Sequence, residues 1–251
     1  MAVYLFLDLD DTIFQTRRKC QDSPSLLAVA HGRDGAPLSF MTEKQQTFFR
    51  WLGEEAHLIP TTARSYAAFR RVALSFSGMA ILDFGGVILD EAGQLDQQWD
   101  STIRPQIATL RDPLRHIHGA ILESAAQQNL HIRSRIITDF EMDLYVVTKL
   151  LDVEGDDLTR LYELTVRHYA NDQFYVHFND NNLAVIPRCL NKRQAVQYLI
   201  DTRLRPSAPQ DLITIGMGDS LSDLDFMTLC DYCLTPRSSQ IARQLLEAHH
   251  V

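Results

Sequence analysis

The sequence predicts an α/β protein: a parallel-sheet core interrupted by an inserted α+β domain. Three observations carry that prediction. The apolar run Val3-Tyr4-Leu5-Phe6-Leu7 ends abruptly in Asp8-Leu9-Asp10-Asp11-Thr12, as a buried strand of a parallel sheet does where it meets a ligand site. A second apolar run, Asp211 to Gly216, ends the same way in Gly216-Met217-Gly218-Asp219. Between them, from Gly78 to Pro187, strands followed by helices give way to paired strands around short turns, a sign of antiparallel pairing. The predicted division is residues 1–78 with 189–251 for the core and 79–188 for the insertion.

Taken in order, Val3 to Leu7 is the first strand, made of strand formers with no charge before Asp8. Gln15 to Phe40 is polar and interrupted by Pro24, Gly32, Gly35 and Pro37, which predicts a long loop or flap. Thr42 to Ala56 is a helix: Thr42 can cap it, and Phe48, Phe49 and Leu52 recur at helical spacing. His57 to Pro60 is a short strand and Arg64 to Val72 a second helix. Ala80 to Leu82 and Val87 to Leu89 are strands around Gly85-Gly86. Thr102 to Asn129 is helical, broken or kinked near Pro105 and Pro113.

Ile132 to Thr138 and Leu144 to Leu150 make a hairpin around the acidic stretch Asp139 to Asp143. Asp156 to Tyr169 is a helix, and strands Phe174 to Phe178 and Leu183 to Ile186 flank the turn formers Asn179-Asp180-Asn181-Asn182. The core resumes with a helix from Lys192 to Leu204 and the strand Asp211 to Gly216. A helix from Ser220 to Leu229, a short strand Tyr232 to Leu234 and a last helix Ser238 to His249 complete it.

Composition narrows the partners. The 251 residues hold 24 Lys plus Arg against 32 Asp plus Glu, a net charge of −8. A field of that sign does not attract nucleic acid or an anionic membrane, while a local metal still lets an anionic small molecule bind. No run approaches the roughly 18 consecutive apolar residues of a membrane span. The N-terminus has no basic stretch and meets Asp8 too early for a signal peptide. Four cysteines are too few for a disulfide framework, which predicts a reducing, cytoplasmic location. Cys230 and Cys233 form a CxxC without a second pair and are expected to be buried structural thiols.

The chemistry concentrates at the strand ends. Asp8 and Asp10, two apart, project to one side if the chain stays extended. Close carboxylates repel and raise a pKa unless a cation lies between them. The pair therefore reads as a divalent-metal site, as a nucleophile beside a general acid, or as both; a plain polar strand exit is the alternative. Asp219 lies at the second strand exit and Asp223 one helical turn on, with glycines that let the backbone turn sharply. Parallel neighbouring strands would bring Asp219 beside Asp8 and Asp10, an all-oxygen cluster suited to Mg²⁺. Alone, Asp219 and Asp223 are equally explained as acids at a helix N-terminus.

Thr61-Thr62-Ala63-Arg64 opens a helix and offers hydroxyls and free amides to a phosphoryl oxygen, or is an ordinary threonine cap. Lys192 starts a helix where the dipole disfavours a cation, which points to a bound anion, or it is an ordinary solvated surface lysine. No GxGxxG follows a strand, so a dinucleotide site is not supported.

With these four elements in order, the chain resembles the haloacid-dehalogenase superfamily of aspartate-nucleophile phosphatases. Asp8-Leu9-Asp10-Asp11-Thr12 resembles its first motif, Thr62-Ala63-Arg64 the second, Lys192 the third, and Gly218-Asp219 through Asp223 the fourth. An insertion between motifs two and three resembles the large-cap sugar-phosphatase branch, and Phe84-Gly85-Gly86-Val87-Ile88 is similar to its cap entry. Ala63 stands where that branch often has Gly, and Ser222 where it often has Asn.

The resemblance implies a Rossmann-like core with an inserted α+β cap and a Mg²⁺-dependent phosphatase acting on a small phosphate ester, a sugar phosphate in particular. It implies Asp8 as nucleophile and Asp10 as general acid and base. It implies Mg²⁺ on the Asp8 carboxylate, the Asp10 carbonyl and Asp219, with Asp223 orienting water, and Thr62, Arg64 and Lys192 as the phosphoryl-binding residues. A hexose-phosphate mutase of the same superfamily and a non-catalytic ligand-binding member are the alternatives.

Overall fold

The computed structural model describes residues 2–20, 25–151, 157–164, 166–179, 182–207 and 211–248. The chain falls into two compact units, Met1–Asp96 with Asn191–Val251, and Gln97–Leu190. The first unit opens with β1 (Ala2–Leu7), β2 (Gln15–Thr16), β3 (Leu26–His31), β4 (Pro37–Thr42), α1 (Glu43–Glu55), β5 (His57–Pro60), α2 (Tyr66–Phe69), β6 (Ala80–Leu82) and β7 (Val87–Leu89). The second holds α3 (Gln97–Gln127), β8 (Ile132–Asp139), β9 (Met142–Leu150), α4 (Asp157–Leu164), β10 (Phe174–Asn179) and β11 (Asn182–Pro187). The first unit resumes with α5 (Lys192–Leu199), α6 (Arg205–Ser207), β12 (Leu212–Met217), α7 (Leu224–Met227), β13 (Tyr232–Leu234) and α8 (Gln240–Ala248). The strands at 80–82 and 87–89, which the sequence division gave to the insertion, lie in the first unit.

The core sheet runs β13-β12-β1-β5 and is parallel throughout. Leu5, Phe6 and Leu7 are fully buried, as a central parallel strand covered on both faces requires. The register pairs Leu7 with both Met217 and Pro60, so the residues that follow each strand emerge side by side at one sheet edge. The second unit has its own antiparallel sheet, β10-β11-β9-β8, and its own core around Leu114, Ile117, Ile121, Val146 and Phe174. An α/β core with an inserted α+β unit is therefore present.

Four local expectations are corrected. The polar stretch Gln15 to Phe40 is not a loop: β2, β4 and β3 form a small antiparallel sheet, order β2-β4-β3, although residues 21–24, including Pro24, lie outside the described residues. Its prolines and glycines punctuate the strands instead of preventing them. Pro37 begins β4, and Gly32 to Ala36 is a turn closed by Gly32 N–H donating to Ala36 O at 2.7 Å. Val29 and Met41 from this sheet are buried in the core beside Leu5, Leu7, Leu9 and Phe14.

The expected helix from Arg64 shrinks to α2, capped by Ser65. The long helix runs unbroken through Pro105 and Pro113. The carbonyls those prolines leave unbonded belong to Ser101 and Thr109, both exposed residues, where solvent can reach a lost acceptor. The CxxC thiols are not a buried pair. Burial, then Cys233 and Asp231, push the half-buried Cys230 up to about 12, and Cys233 is exposed on the edge strand β13.

Helix α1 matches expectation closely, down to a Thr42–Gln45 capping box. The start of the expected 156–169 helix, the turn residues Asp180 and Asn181, and His249 lie outside the described residues. No helix among the described residues is long and apolar enough to cross a membrane.

Candidate active site

The sheet edge assembles a buried cluster of charge. Asp8 follows β1, its amide donating to Met217 O at 2.8 Å. Asp219 follows β12, and Asp223 closes the first turn beyond it. One ligand oxygen from each of Asp8, Asp219 and Asp223 lies within 4.8 Å of the others. Lys192 Nζ donates to Asp8 Oδ1 and to Asp223 Oδ1, both at 2.7 Å. All three of these side chains are nearly buried, at 11 % exposure for Lys192, 9 % for Asp8 and 2 % for Asp223. The Thr12 hydroxyl sits 3.3 Å from Asp8 Oδ2 and 3.1 Å from Asp219 Oδ1, one proton shared between two acceptors. Ser220 holds the far oxygen of Asp223, its amide donating at 3.1 Å and its hydroxyl at 2.7 Å.

Three glycines make this packing possible, each in its own way. Gly216 and Gly218 were expected to allow a sharp turn, yet neither has a positive φ. What they provide is space: a Cβ on Gly218 would lie 2.5 Å from the Asp223 Cβ, and one on Gly216 2.6 Å from the Met227 Cα. Gly85 has φ +99, and its Cβ would meet the Asn191 carbonyl oxygen at 2.6 Å. Asn191 caps α5, so Gly85 lets the helix start where Lys192 reaches Asp8.

Three carboxylates against one ammonium leave two negative charges uncompensated in a buried site. The consequences appear in the titration of each group. Burial, then Asp223 and Asp219, raise the Asp8 carboxyl well above its ordinary value, against the pull of Lys192. Burial, then Asp223 and Asp11, push Asp219 up to about 6. Asp223 is held below its ordinary value because Lys192 and the Ser220 hydrogen bonds outweigh burial. Lys192 is held protonated because Asp223 and Asp8 outweigh the same penalty. An all-oxygen donor set carrying two surplus negative charges fits a hard divalent cation.

The sequence-predicted residues Asp8, Asp219, Asp223 and Lys192 come together directly. The anions implied by Lys192 are, in this structure, the protein's own carboxylates. Asp10 does not join them through its side chain, which faces Arg64: Arg64 Nε and Nη2 donate to its two oxygens at 2.6 and 2.7 Å. Thr62 is buried nearby, but the supply of free amides expected around it is reduced. The amide of Thr61 donates to Leu7 O, that of Thr62 to Ile81 O, and that of Arg64 to the Thr62 hydroxyl. The Thr61 hydroxyl is committed to Ile59 O. The Thr62 hydroxyl, which accepts from the Arg64 amide, keeps its proton to donate to a ligand. Thr12 and Ser220 were overlooked; both sit inside the quoted motifs, so position beside an acid was the available signal.

No protein-family model matches the sequence, and no curated protein matches it. Solved structures do. A sucrose-phosphatase from Synechocystis, solved with sucrose and phosphate, aligns over 100% of this chain and 98% of its own, at TM-score 0.54 and 18% identity. A Plasmodium falciparum IMP-nucleotidase solved with IMP aligns over 100% of this chain and 69% of its own, at TM-score 0.55 and 12% identity. The C-terminal domain of the C. albicans trehalose-6-phosphate phosphatase aligns over 90% of this chain and 73% of its own, at TM-score 0.50 and 15% identity. At these identities the likeness is one of fold.

Proposed function

From a chain with the haloacid-dehalogenase fold and this charge cluster, we propose a Mg²⁺-dependent phosphatase that hydrolyses a small phosphate ester, a sugar phosphate in particular, through an aspartyl-phosphate. One observation carries the reading: a buried carboxylate, Asp8, is held on one oxygen by an ammonium and on the other by a hydroxyl at the edge of a parallel sheet. A carboxylate with two fixed partners keeps one orientation, which an in-line attack on phosphorus needs. Two sugar-ester phosphatases among the structural neighbours, one matching nearly end to end, support the substrate class.

Asp8 attacks phosphorus; Asp10, once its carboxyl has left Arg64 and taken up a proton, protonates the departing oxygen and then takes a proton from the water that cleaves the acyl-phosphate. Lys192 and the Thr62 hydroxyl face the phosphoryl oxygens, whose charge is most spread in the transition state. Asp8, Asp219 and the Asp10 carbonyl would hold Mg²⁺, with Asp223 orienting water; the ion would offset the surplus charge that otherwise repels a phosphate.

The test is phosphate release from a panel of sugar and other small phosphates, with Mg²⁺ and with EDTA, beside Asp8→Asn. Release that needs Mg²⁺ and vanishes in the variant is the expected outcome. Wild-type-like turnover by folded Asp8→Asn would end the assignment. Transfer between sugar positions with little free phosphate would indicate the mutase.

A further inference from the structure

The chain crosses between its two units twice, at Asp96–Gln97 and at Leu190–Asn191. Both crossings are fixed to one helix of the first unit. Asn191 is the N-cap of α5, its side chain accepting from Arg193 N–H at 2.8 Å, so the exit joint is the helix start itself. Asp96, the residue before α3, is tied near the other end. Its Oδ1 accepts from the Tyr198 hydroxyl at 2.8 Å, and its Oδ2 from Arg203 Nη2 and Nε at 2.6 and 3.2 Å. Its amide donates to Ile88 O at 2.8 Å. Along the helix axis Asn191 and Tyr198 are about 10 Å apart.

Tyr198 and Arg203 reach the same carboxylate because the helix widens between them. Five residues apart, they would sit roughly 140° from each other on a regular α-helix. Ile200–Leu204 instead forms a π-turn, closed by Arg205 N–H donating to Ile200 O, and the wider turn brings Arg203 round to the Tyr198 face. Single π-turns inside helices are frequent at functional sites.

The Asp96 side chain is fully buried, whereas Arg203 is 34 % exposed. Burying a charge costs desolvation that its partner repays only in part, and a well-packed apolar residue often serves stability as well or better. What an apolar residue does not supply is direction. Two partners on opposite oxygens fix the way the chain leaves the first unit.

We infer that the Asp96–Tyr198–Arg203 clamp is a conformational device. It holds the entry joint against α5, so that both joints of the inserted unit share one helix and its turning is confined to the line through them. Lys192 is the first residue of α5, directly after Asn191, so the helix that mounts the joints also carries a member of the charge cluster. Loosening the clamp changes the freedom of the second unit and, through it, turnover. The kinetic consequence rests on the phosphatase reading; the mechanical one does not.

Amide nitrogen spin relaxation on the full chain tests this, because it reads the tumbling time of each unit separately. Asp96→Asn/Arg203→Met removes the ion pair without leaving a buried charge alone. Tyr198→Phe, which loses a single hydroxyl, is the mild variant that keeps the fold. In the double variant the second unit should tumble faster relative to the first than it does in wild type, and Tyr198→Phe should show the same change at smaller size. The amide of residue 96 should exchange about 10–100-fold faster in the double variant, as loss of hydrogen bonds to a charged group predicts. On an ester that wild type hydrolyses, kcat and KM should shift together, as they do when a hinge is altered.

Unchanged relative tumbling in both variants would overturn the proposal. Faster tumbling with wild-type kcat and KM would overturn its link to turnover. Should wild type hydrolyse no ester, the phosphatase reading fails, and the tumbling times still decide the role of the clamp.

Discussion

Replacing Asp219 by Asn removes one of three carboxylates that share a buried site with a single ammonium. Burial, then Asp223 and Asp11, move this carboxyl from an ordinary 3.8 to about 6; the Thr12 hydroxyl and Lys192 pull the other way without cancelling them. For an acid raised on folding, the stabilising contribution is complete below the unfolded value and is lost as pH rises through the folded one. The window here runs from about pH 4 to just above pH 6. At pH 7.5 the accumulated penalty is about 3 kcal/mol, at 1.36 kcal/mol for each tenfold change in proton affinity.

Asparagine keeps the size and an oxygen for the Thr12 hydroxyl while carrying no charge. In EDTA at pH 7.5 the variant should therefore be more stable than wild type by roughly 1–3 kcal/mol, and the two should converge near pH 4. Urea unfolding followed by far-UV circular dichroism measures this. Added Mg²⁺ should reverse the order, because only wild type gains binding free energy. Equal stability of the two proteins in EDTA at pH 7.5, or a more stable wild type, would refute the reasoning that these carboxylates compete for too little positive charge.

Three other outcomes follow from the same geometry. Lys192→Ala should reduce kcat/KM by about 2–4 kcal/mol of transition-state stabilisation. In EDTA at pH 7.5 it should also destabilise the fold by about 3–5 kcal/mol, since Asp8 and Asp223 lose their only ammonium; the deficit should shrink on acidification, as urea titrations at pH 7.5 and 5 would register. Gly85→Ala should lower both stability and turnover, because its Cβ would collide with the Asn191 carbonyl and shift the start of α5. Gly93→Ala, with φ +71 and open space around its Cβ, is the control and should cost only about 1 kcal/mol of backbone strain with activity retained. Asp8→Asn should abolish phosphate release and leave the circular dichroism spectrum unchanged.

Much of the fold was legible because its signals are local. A run such as Val3 to Leu7 is made of strand formers with no charge, and its sudden end in acids marks the edge of the sheet where the carboxylates gather. The Thr42 cap and the 3.6-residue spacing behind it are complete within one helix. The strand pair β8–β9 was legible through alternation around a turn, and β6 and β7 as short apolar runs around Gly85-Gly86. What failed locally is instructive. The Gln15–Phe40 stretch looks irregular because of its prolines and glycines, yet Leu26–His31 and Pro37–Thr42 are mostly apolar strands of six residues each, with Val29 and Met41 buried in the core. Pro105 and Pro113 lie inside a continuous helix where the i−4 residues, Ser101 and Thr109, are exposed, and which face is exposed is decided by tertiary packing.

The sequence by itself singled out Asp8, Asp219, Asp223 and Lys192, which the fold brings together, since each motif is a few contiguous residues beside an apolar run. The tertiary structure alone decided who faces whom. Thr12 and Asp219 are 207 positions apart and Arg64 and Asp10 are 54 apart. No periodicity reports a hydrogen bond across such distances. Those partnerships are set by the β1–β12 and β1–β5 registers and by the space left at Gly85, Gly216 and Gly218. Side-chain charge is written in the sequence, but the distance between charges, and hence their protonation and their use, exists only once the sheet has closed.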